Sequence, residues 1–320
     1  MLLNDKTDRE VGPNKAVVTG SVLHKVRNTD RPSPRTSATR FGTNSIMICD
    51  NEVNPAISIR SVPRILIGHA LVHSCSFNEV VEAIVHEAAM GEEPKYVITP
   101  NSQHVVLLEK DKYLQQIFSQ AAFVLPDGFS LLLAARIMGH NILQRIAGVD
   151  LFEALCKRAA CEGLRVFLLG GRPGSAEKAA EKLRTQYHGL IVCGSCCPPL
   201  GFEDDPSQQK NIEECIMSAR PHLLFVAFGA PKQEYWMYEH SRKLGVPVAM
   251  GVGGSFEMVG GVVARAPKWL QKSGLEWLYR LLREPRRLWR RYLVGHLQFA
   301  SIILQQRLKR QNVARSSFES

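Results

Sequence analysis

No apolar run in this 320-residue sequence approaches the roughly 20 residues that a membrane-spanning helix needs. The run at 223–230 has the length of a buried strand instead. The opening MLLNDKTDRE is charged early and has no apolar core, so no secretory leader is expected. Eight cysteines without a leader then read as free thiols in a reducing cytoplasm. No second cysteine pair or histidine pair stands at ligand spacing from Cys193, Cys196 and Cys197, which argues against a zinc site; they read as small residues at a strand end. GxGxxG is also missing. The glycine loop Gly170-Gly171-Arg172-Pro173-Gly174-Ser175 has other spacing, and no acidic residue near 191–194 is placed to hold a ribose, which argues against NAD.

What is present is an ordinary globular balance, 45% hydrophobic and 22% charged, long enough for one large domain and an appendage. The formal net charge of +10 is unevenly spread. Residues 265–291 hold nine Lys and Arg against two Glu, a net of +7, with three of the four tryptophans. Such a tract suits nucleic acid, an anionic membrane surface or a phosphorylated ligand. Basic residues interleaved with Trp269, Trp277, Trp289 and Tyr292 fit a membrane-surface helix, and equally an amphipathic helix packed on a domain.

The pattern is strand, polar loop, helix, repeated. Residues 1–62 show no sustained period and read as an extension; 63–264 read as an α/β domain; 265–320 read as a basic amphipathic appendage and tail. Arg64–His69 reads as a first short strand, and Ser76 to Glu79 as a capping box that opens a helix ending at Gly91. Tyr96 to Ile98 is a strand running into Thr99-Pro100-Asn101, followed by a helix to about Gln120. Ala122 to Leu125 is a strand ending in Pro126-Asp127-Gly128. Leu164 to Leu169 runs into Gly170 and Gly171, and 222–228 into Gly229, Pro231, Lys232 and Gln233. Val246 to Met250 runs into Gly251, Gly253, Gly254 and Glu257. The expected fold is a doubly wound, mainly parallel sheet with helices on both faces. There, ligands lie at the carboxyl ends of the strands, beside helix N-termini.

Each polar position also has a plain structural reading. Thr99 and Asn101 suit a helix cap. Asp127 precedes Gly128 as in a common turn. Arg145, between Ile142-Leu143 and Ile146-Ala147, suits a snorkelling or paired arginine, or one holding a diphosphate. Glu257 suits a helix N-terminus, or an acceptor for a base or ribose.

Taken together and in order, these motifs resemble the WecG/TagA/CpsF family of bacterial glycosyltransferases. The resemblance runs from about Arg64 to Phe299. It rests on Thr99-Pro100-Asn101, Pro126-Asp127-Gly128, Arg145 to Gly148, Phe167 to Gly171, FGAPKQE at 228–234, GVGGSFE at 251–257 and the basic tract from Arg265 to Tyr292. It implies an inverting transfer of a sugar from a UDP-sugar to a polyprenyl-diphosphate-linked sugar, in cell-surface or exopolysaccharide synthesis. The sugar would be N-acetylmannosamine-like, its uronic acid, or of the glucose or glucuronic acid type.

The resemblance assigns Asp127 as general base. Thr99, Asn101, Arg145 and Gln233 become substrate contacts, and Arg280, Arg287 and Arg290 become diphosphate contacts from the appendage. Gly170, Gly171, Gly229, Lys232, Gly253 and Glu257 fall to the nucleotide; relatives often carry Asp at the last position. No cofactor and no metal is implied, and no Asp-x-Asp follows a strand to hold a metal-bound sugar nucleotide. The expected partners are the donor, the lipid-linked acceptor and an anionic membrane surface, with no nucleic acid; oligomerisation is left open. The expected location is the cytoplasmic face of the cell membrane, peripherally attached. Two other classes compete: a nucleotide-binding α/β oxidoreductase and a non-catalytic basic membrane-recruitment module.

Overall fold

A computed structural model describes residues 62–316. The extension expected over residues 1–62 falls almost wholly outside the described residues. The chain opens with an antiparallel hairpin, β1 (Arg64–Ile67) and β2 (Ala70–His73). It continues through α1 (Phe77–Met90), β3 (Lys95–Ile98), α2 (Ser102–Leu108), α3 (Lys112–Gln120), β4 (Phe123–Val124), α4 (Phe129–Ile137) and α5 (Gly148–Glu162). Next come β5 (Arg165–Gly170), α6 (Ser175–Gln186), β6 (Ile191–Cys196), α7 (Pro206–Ala219), β7 (Leu223–Ala227), α8 (Lys232–Leu244), β8 (Val248–Gly251) and α9 (Ser255–Val259). The basic tract forms α10 (Lys268–Lys272), α11 (Glu276–Arg283) and α12 (Pro285–Trp289), then a π-helical turn (Arg290–Val294) and α13 (Gly295–Ser316).

Strands β3 to β8 form one six-stranded sheet in the order β4-β3-β8-β7-β5-β6, with every pairing parallel. β7 and β8 are buried at every position, as their unbroken apolar runs require in the middle of a sheet covered on both faces. Strand alternation divides the core in two. Val97, Leu168, Phe225 and Met250 face α1, α5, α6 and α9. Ile98, Leu169, Val226 and Ala249 face the opposite layer, with Leu114, Leu131, Trp236, Phe299 and Ile303. The doubly wound α/β expectation holds.

Three local expectations are corrected. Arg64–His69 is not a lone strand; it turns at Gly68-His69 and pairs back as β2, because Gly68 adopts φ +59°. The helix expected from Asn101 to about Gln120 is broken, since Asp111 caps a new one by accepting the Leu114 N–H at 2.9 Å. Free thiols were expected throughout, but Cys161 is disulfide-bonded. Sulfur pairing depends on proximity in the fold, which cysteine spacing in the sequence does not reveal.

The β4 edge of the sheet is covered. The Val124 N–H donates to Nδ1 of the fully buried His73, at 3.1 Å. Burial pushes the His73 imidazole down, so it stays neutral and can accept this bond.

Candidate active site

β8, the last strand of the sheet in chain order, lies beside β3, the first, so loops from both ends of the domain meet there. A cavity of about 780 Å³ opens at the carboxyl ends of the strands on this side. Its lining includes Thr99, Asn101, Asp127, Arg145, Gly229, Gln233, Gly253 and Arg280. The structure therefore gathers residues that are widely separated in the sequence around one space.

Asp127 lies three residues past the end of β4, and the parallel ladder continues to hold it there. Leu125 N–H donates to Ile98 O at 2.9 Å, Asp127 N–H to Pro100 O at 2.8 Å and Ile146 N–H to Pro126 O at 2.9 Å. Gly148, first residue of α5, donates its N–H to Asp127 Oδ2 at 3.3 Å. A side chain at Gly148 would put its Cβ 2.9 Å from Thr99 Oγ1, so glycine permits this close approach. Burial pushes the Asp127 carboxyl up to about 6; Arg145 and the Gly148 N–H pull it down, and Glu276 and Asp150 push it further up. A carboxylate so tuned is ionised near neutral pH yet basic enough to take a proton.

Arg145 faces the cavity and is held from the far side. It donates to Gln271 O at 3.2 Å and pairs with Glu276 Oε2 at 3.5 Å. Arg265 pairs with Asp150 and approaches Glu276 Oε1 at 3.8 Å. Alternating charges thus join Asp150 at the start of α5, Arg265, Glu276 on α11 and Arg145 beside Asp127. The sequence reading missed Glu276. The available signal was its place as one of two acids among nine bases in the tract.

Gln233 is nearly fully buried, and its Oε1 accepts from both Gly229 N–H at 3.2 Å and Gly253 N–H at 3.0 Å. One carboxamide therefore ties the loops after β7 and β8 together. Its Nε2 donates to Glu234 Oε1 at 2.8 Å, and that buried carboxylate lies 3.4 Å from His104 Nε2. His104 completes a capping box with Asn101, whose side-chain oxygen accepts the Gln103 N–H at 3.0 Å. Asn101 is a helix cap and also lines the cavity. His104 and Glu234 were not picked out from the sequence, because each sits in a helical turn where a polar residue is ordinary.

The expected nucleotide contacts divide. Gly229 and Gly253 line the cavity, while Gly170, Gly171, Lys232 and Glu257 do not. Gly170 and Gly171 take φ of +91° and +83° and pack internally: an added Cβ would lie 2.7 Å from Phe228 at the first and 2.4 Å from Ser175 Oγ at the second. Lys232 pairs with Glu203. Glu257 Oε1 accepts the Arg172 N–H at 2.8 Å, so a carboxylate already occupies that N–H of the glycine loop. Its buried Oε2 has no partner among the described residues. Glu257 lines a small side cleft of about 80 Å³ with Arg172, Tyr279, Arg280 and Arg283. Arg280 borders both spaces.

The appendage supplies much of the cavity wall, through Glu276, Trp277, Arg280 and residues of α13. Arg290 is exposed and lies over the Trp289 ring at 5.3 Å, outside the cavity lining. Arg287 belongs to α12, and its side chain lies outside the described residues.

An all-parallel sheet that gathers a carboxylate and an arginine around one cavity at the carboxyl ends of its strands is a layout that suits a group-transfer enzyme. The sequence pattern of the Glycosyl transferase WecG/TagA/CpsF family matches residues 65–313, and the chain belongs to that family and is a glycosyltransferase. It is 32% identical over 198 residues to an N-acetylglucosaminyldiphosphoundecaprenol N-acetyl-beta-D-mannosaminyltransferase of Bacillus spizizenii, covering 62% of this chain and 74% of that one. Among the described residues no helix is long and apolar enough to cross a membrane.

Proposed function

We propose that the chain moves a sugar from a UDP-sugar onto a polyprenyl-diphosphate-linked sugar, with inversion at the anomeric carbon. The observation that carries the reading is Asp127, a carboxyl held at the first residue of α5 with its affinity for a proton raised by burial. The relative's name, with its N-acetylglucosamine-diphosphate-lipid acceptor and N-acetylmannosamine transfer, supports the substrate classes. The donor is a UDP-linked N-acetylmannosamine-like sugar, its uronic acid, or a glucose or glucuronic acid type.

Asp127 takes the proton of the acceptor hydroxyl as that oxygen attacks the anomeric carbon. The new carbon–oxygen bond forms on the face opposite UDP, the bond to the β-phosphate oxygen breaks, and UDP leaves with the electron pair. A base in this role contributes about 10²–10⁴-fold. Arg280, which has no ion pair among the described residues, supplies countercharge where the diphosphate develops it. Glu257 Oε2 is the acceptor for a ribose hydroxyl or base N–H in the side cleft. Thr99, Asn101 and Arg145 contact the sugars, and Gln233 holds the two glycine loops against the donor.

The protein attaches peripherally to anionic membrane. Trp269 and Leu282 are 67% and 75% exposed within the basic tract, and each nearby base adds about 1 kcal/mol at such a surface. The test is UDP release with a panel of UDP-sugars and a polyprenyl-diphosphate-N-acetylglucosamine acceptor, beside Asp127→Asn. Transfer by the wild type and its loss in the variant are expected; equal turnover by both would overturn the assignment of the base.

A further inference from the structure

The cavity has two chemically different halves. The polar groups described above cluster at the strand ends. The other half lies between α4 and α13, where Phe129, Leu133 and Ile137 of α4 face the cavity together with Phe299, Ile303 and Leu304 of α13. The spacing i, i+4, i+8 puts the first three on one stripe of their helix. The last three form the matching stripe at i, i+4, i+5.

The two helices bound this apolar strip along its length. α4 begins directly after Asp127-Gly128, and Gly274, ahead of α11, is packed so close that an added Cβ would lie 2.8 Å from the Phe129 ring. At the other end Arg310 of α13 donates to Met138 O, just past α4, at 3.3 Å. From Phe129 to Ile137 the strip is roughly 12 Å long at the helical rise.

Its residues are not equally buried. Phe299 and Ile303 are core residues, but Leu133 is 49% and Leu304 58% exposed. Apolar surface left wet inside a cavity is surface that a ligand can cover. A sugar or a nucleotide gains little there, since these six side chains carry no donor or acceptor. A linear hydrocarbon does.

We infer that the trough between α4 and α13 seats the isoprenoid tail of the acceptor. The inference rests on the proposed lipid-linked acceptor and locates one part of it. Continuity decides for the tail over another occupant. The trough opens directly into the space beside Asp127, where the acceptor's sugar must sit. Arg307 lines the cavity one turn beyond Leu304, at the end away from Asp127. A cation there suits a tail that leaves toward an anionic bilayer. The tail thereby sets the depth of the sugar hydroxyl relative to the base, so the trough contributes to positioning as well as to affinity.

The test uses the full chain with farnesyl diphosphate, below its micelle-forming concentration, and inorganic diphosphate, both by calorimetry. Farnesyl diphosphate should bind at least about tenfold more tightly, and Leu133→Ser and Leu304→Ser should each remove most of that advantage while diphosphate affinity stays the same. Both positions are substantially exposed, so the melting temperature should hold. In transfer assays, the KM preference for a farnesyl-tailed over a methyl-tailed diphosphate-N-acetylglucosamine acceptor should fall about tenfold in both variants. Equal affinity of the wild type for the two diphosphates overturns the trough. So do variants that weaken both ligands alike, or that reduce only binding to anionic vesicles. If the wild type transfers to neither acceptor yet binds farnesyl diphosphate tightly, the proposed reaction fails while the tail site stands.

Discussion

Arg145 and Glu276 lie 3.5 Å apart, and their pairing ties the loop beside Asp127 to the first turn of an appendage helix 131 residues later. Glu276 thereby acts on Asp127 in two ways. Its charge directly raises the affinity of Asp127 for a proton, and its hold on Arg145 fixes the cation that lowers it.

Glu276→Gln removes the charge and keeps the shape. One anion fewer then stands near Asp127, while the carboxamide oxygen can still accept from Arg145 and keep that cation in place. The acid limb of the pH–rate profile should move to lower pH, by up to about one unit. An acid limb at the wild-type position would show that Glu276 does not influence the base.

Asp127 itself should set that limb. Its folded-state value, about 6, is raised above the ordinary carboxylate range, so turnover should climb with pH through about 6 and level off above it. The sign for stability is opposite. A raised value means that the folded state holds the proton more tightly, so the native state loses stability as pH rises from about 4 to about 6. Asp127→Asn should therefore cost about 10²-fold or more in turnover while raising stability at pH 7 by roughly 1–3 kcal/mol. Turnover and thermal melts at pH 5 and pH 7 check both. A variant less stable at pH 7 would show that the carboxylate is not strained by its burial.

Gly171→Val tests whether the glycine loop serves a ligand or the fold. The φ of +83° and the Ser175 Oγ contact at 2.4 Å predict a folding defect. The melting transition should fall by several degrees, for a cost of roughly 1–3 kcal/mol, with UDP affinity of the folded protein kept. A normal melt with weakened UDP binding would assign the loop to the nucleotide.

Arg280 and Arg290 should separate. Arg280 borders the cavity and the side cleft, whereas Arg290 is exposed over Trp289. Arg280→Ala should lower transfer to a water-soluble acceptor by about 10²-fold. Arg290→Ala should lower it far less and act mainly on flotation with anionic vesicles, in a salt-dependent way. Comparable losses from the two on the soluble acceptor would place Arg290 in the site.

Much of this site was legible in the sequence because strand ends are legible. A buried parallel strand is an apolar run, and the residues just past its carboxyl end must face the ligand side. That rule picked out Thr99, Asn101, Asp127, Gln233, Gly229 and Gly253. The same rule also picked out Gly170 and Gly171, which lie outside the cavity lining. Glycine after a strand marks either close approach of a ligand or close approach of the protein to itself, and here Phe228, Ser175 and Phe256 fill the space. Glu276 and the His104–Glu234 pair were hidden for another reason. Their roles come from contacts over 131 and 130 residues of chain, which no local period encodes. The β1–β2 hairpin was missed because four residues per strand leave too little alternation to read.

The His73 contact with Val124 has a consequence beyond the site. β4 is a two-residue strand at the rim of a parallel sheet, the kind of bare edge onto which a neighbouring molecule can add a strand. An imidazole nitrogen takes up the Val124 N–H there, and the hairpin that carries it stands in the way of any incoming backbone. On the membrane surface proposed above, copies of the chain would meet at high local concentration. Closing this rim with a side chain lets such crowding occur without seeding sheet-to-sheet association.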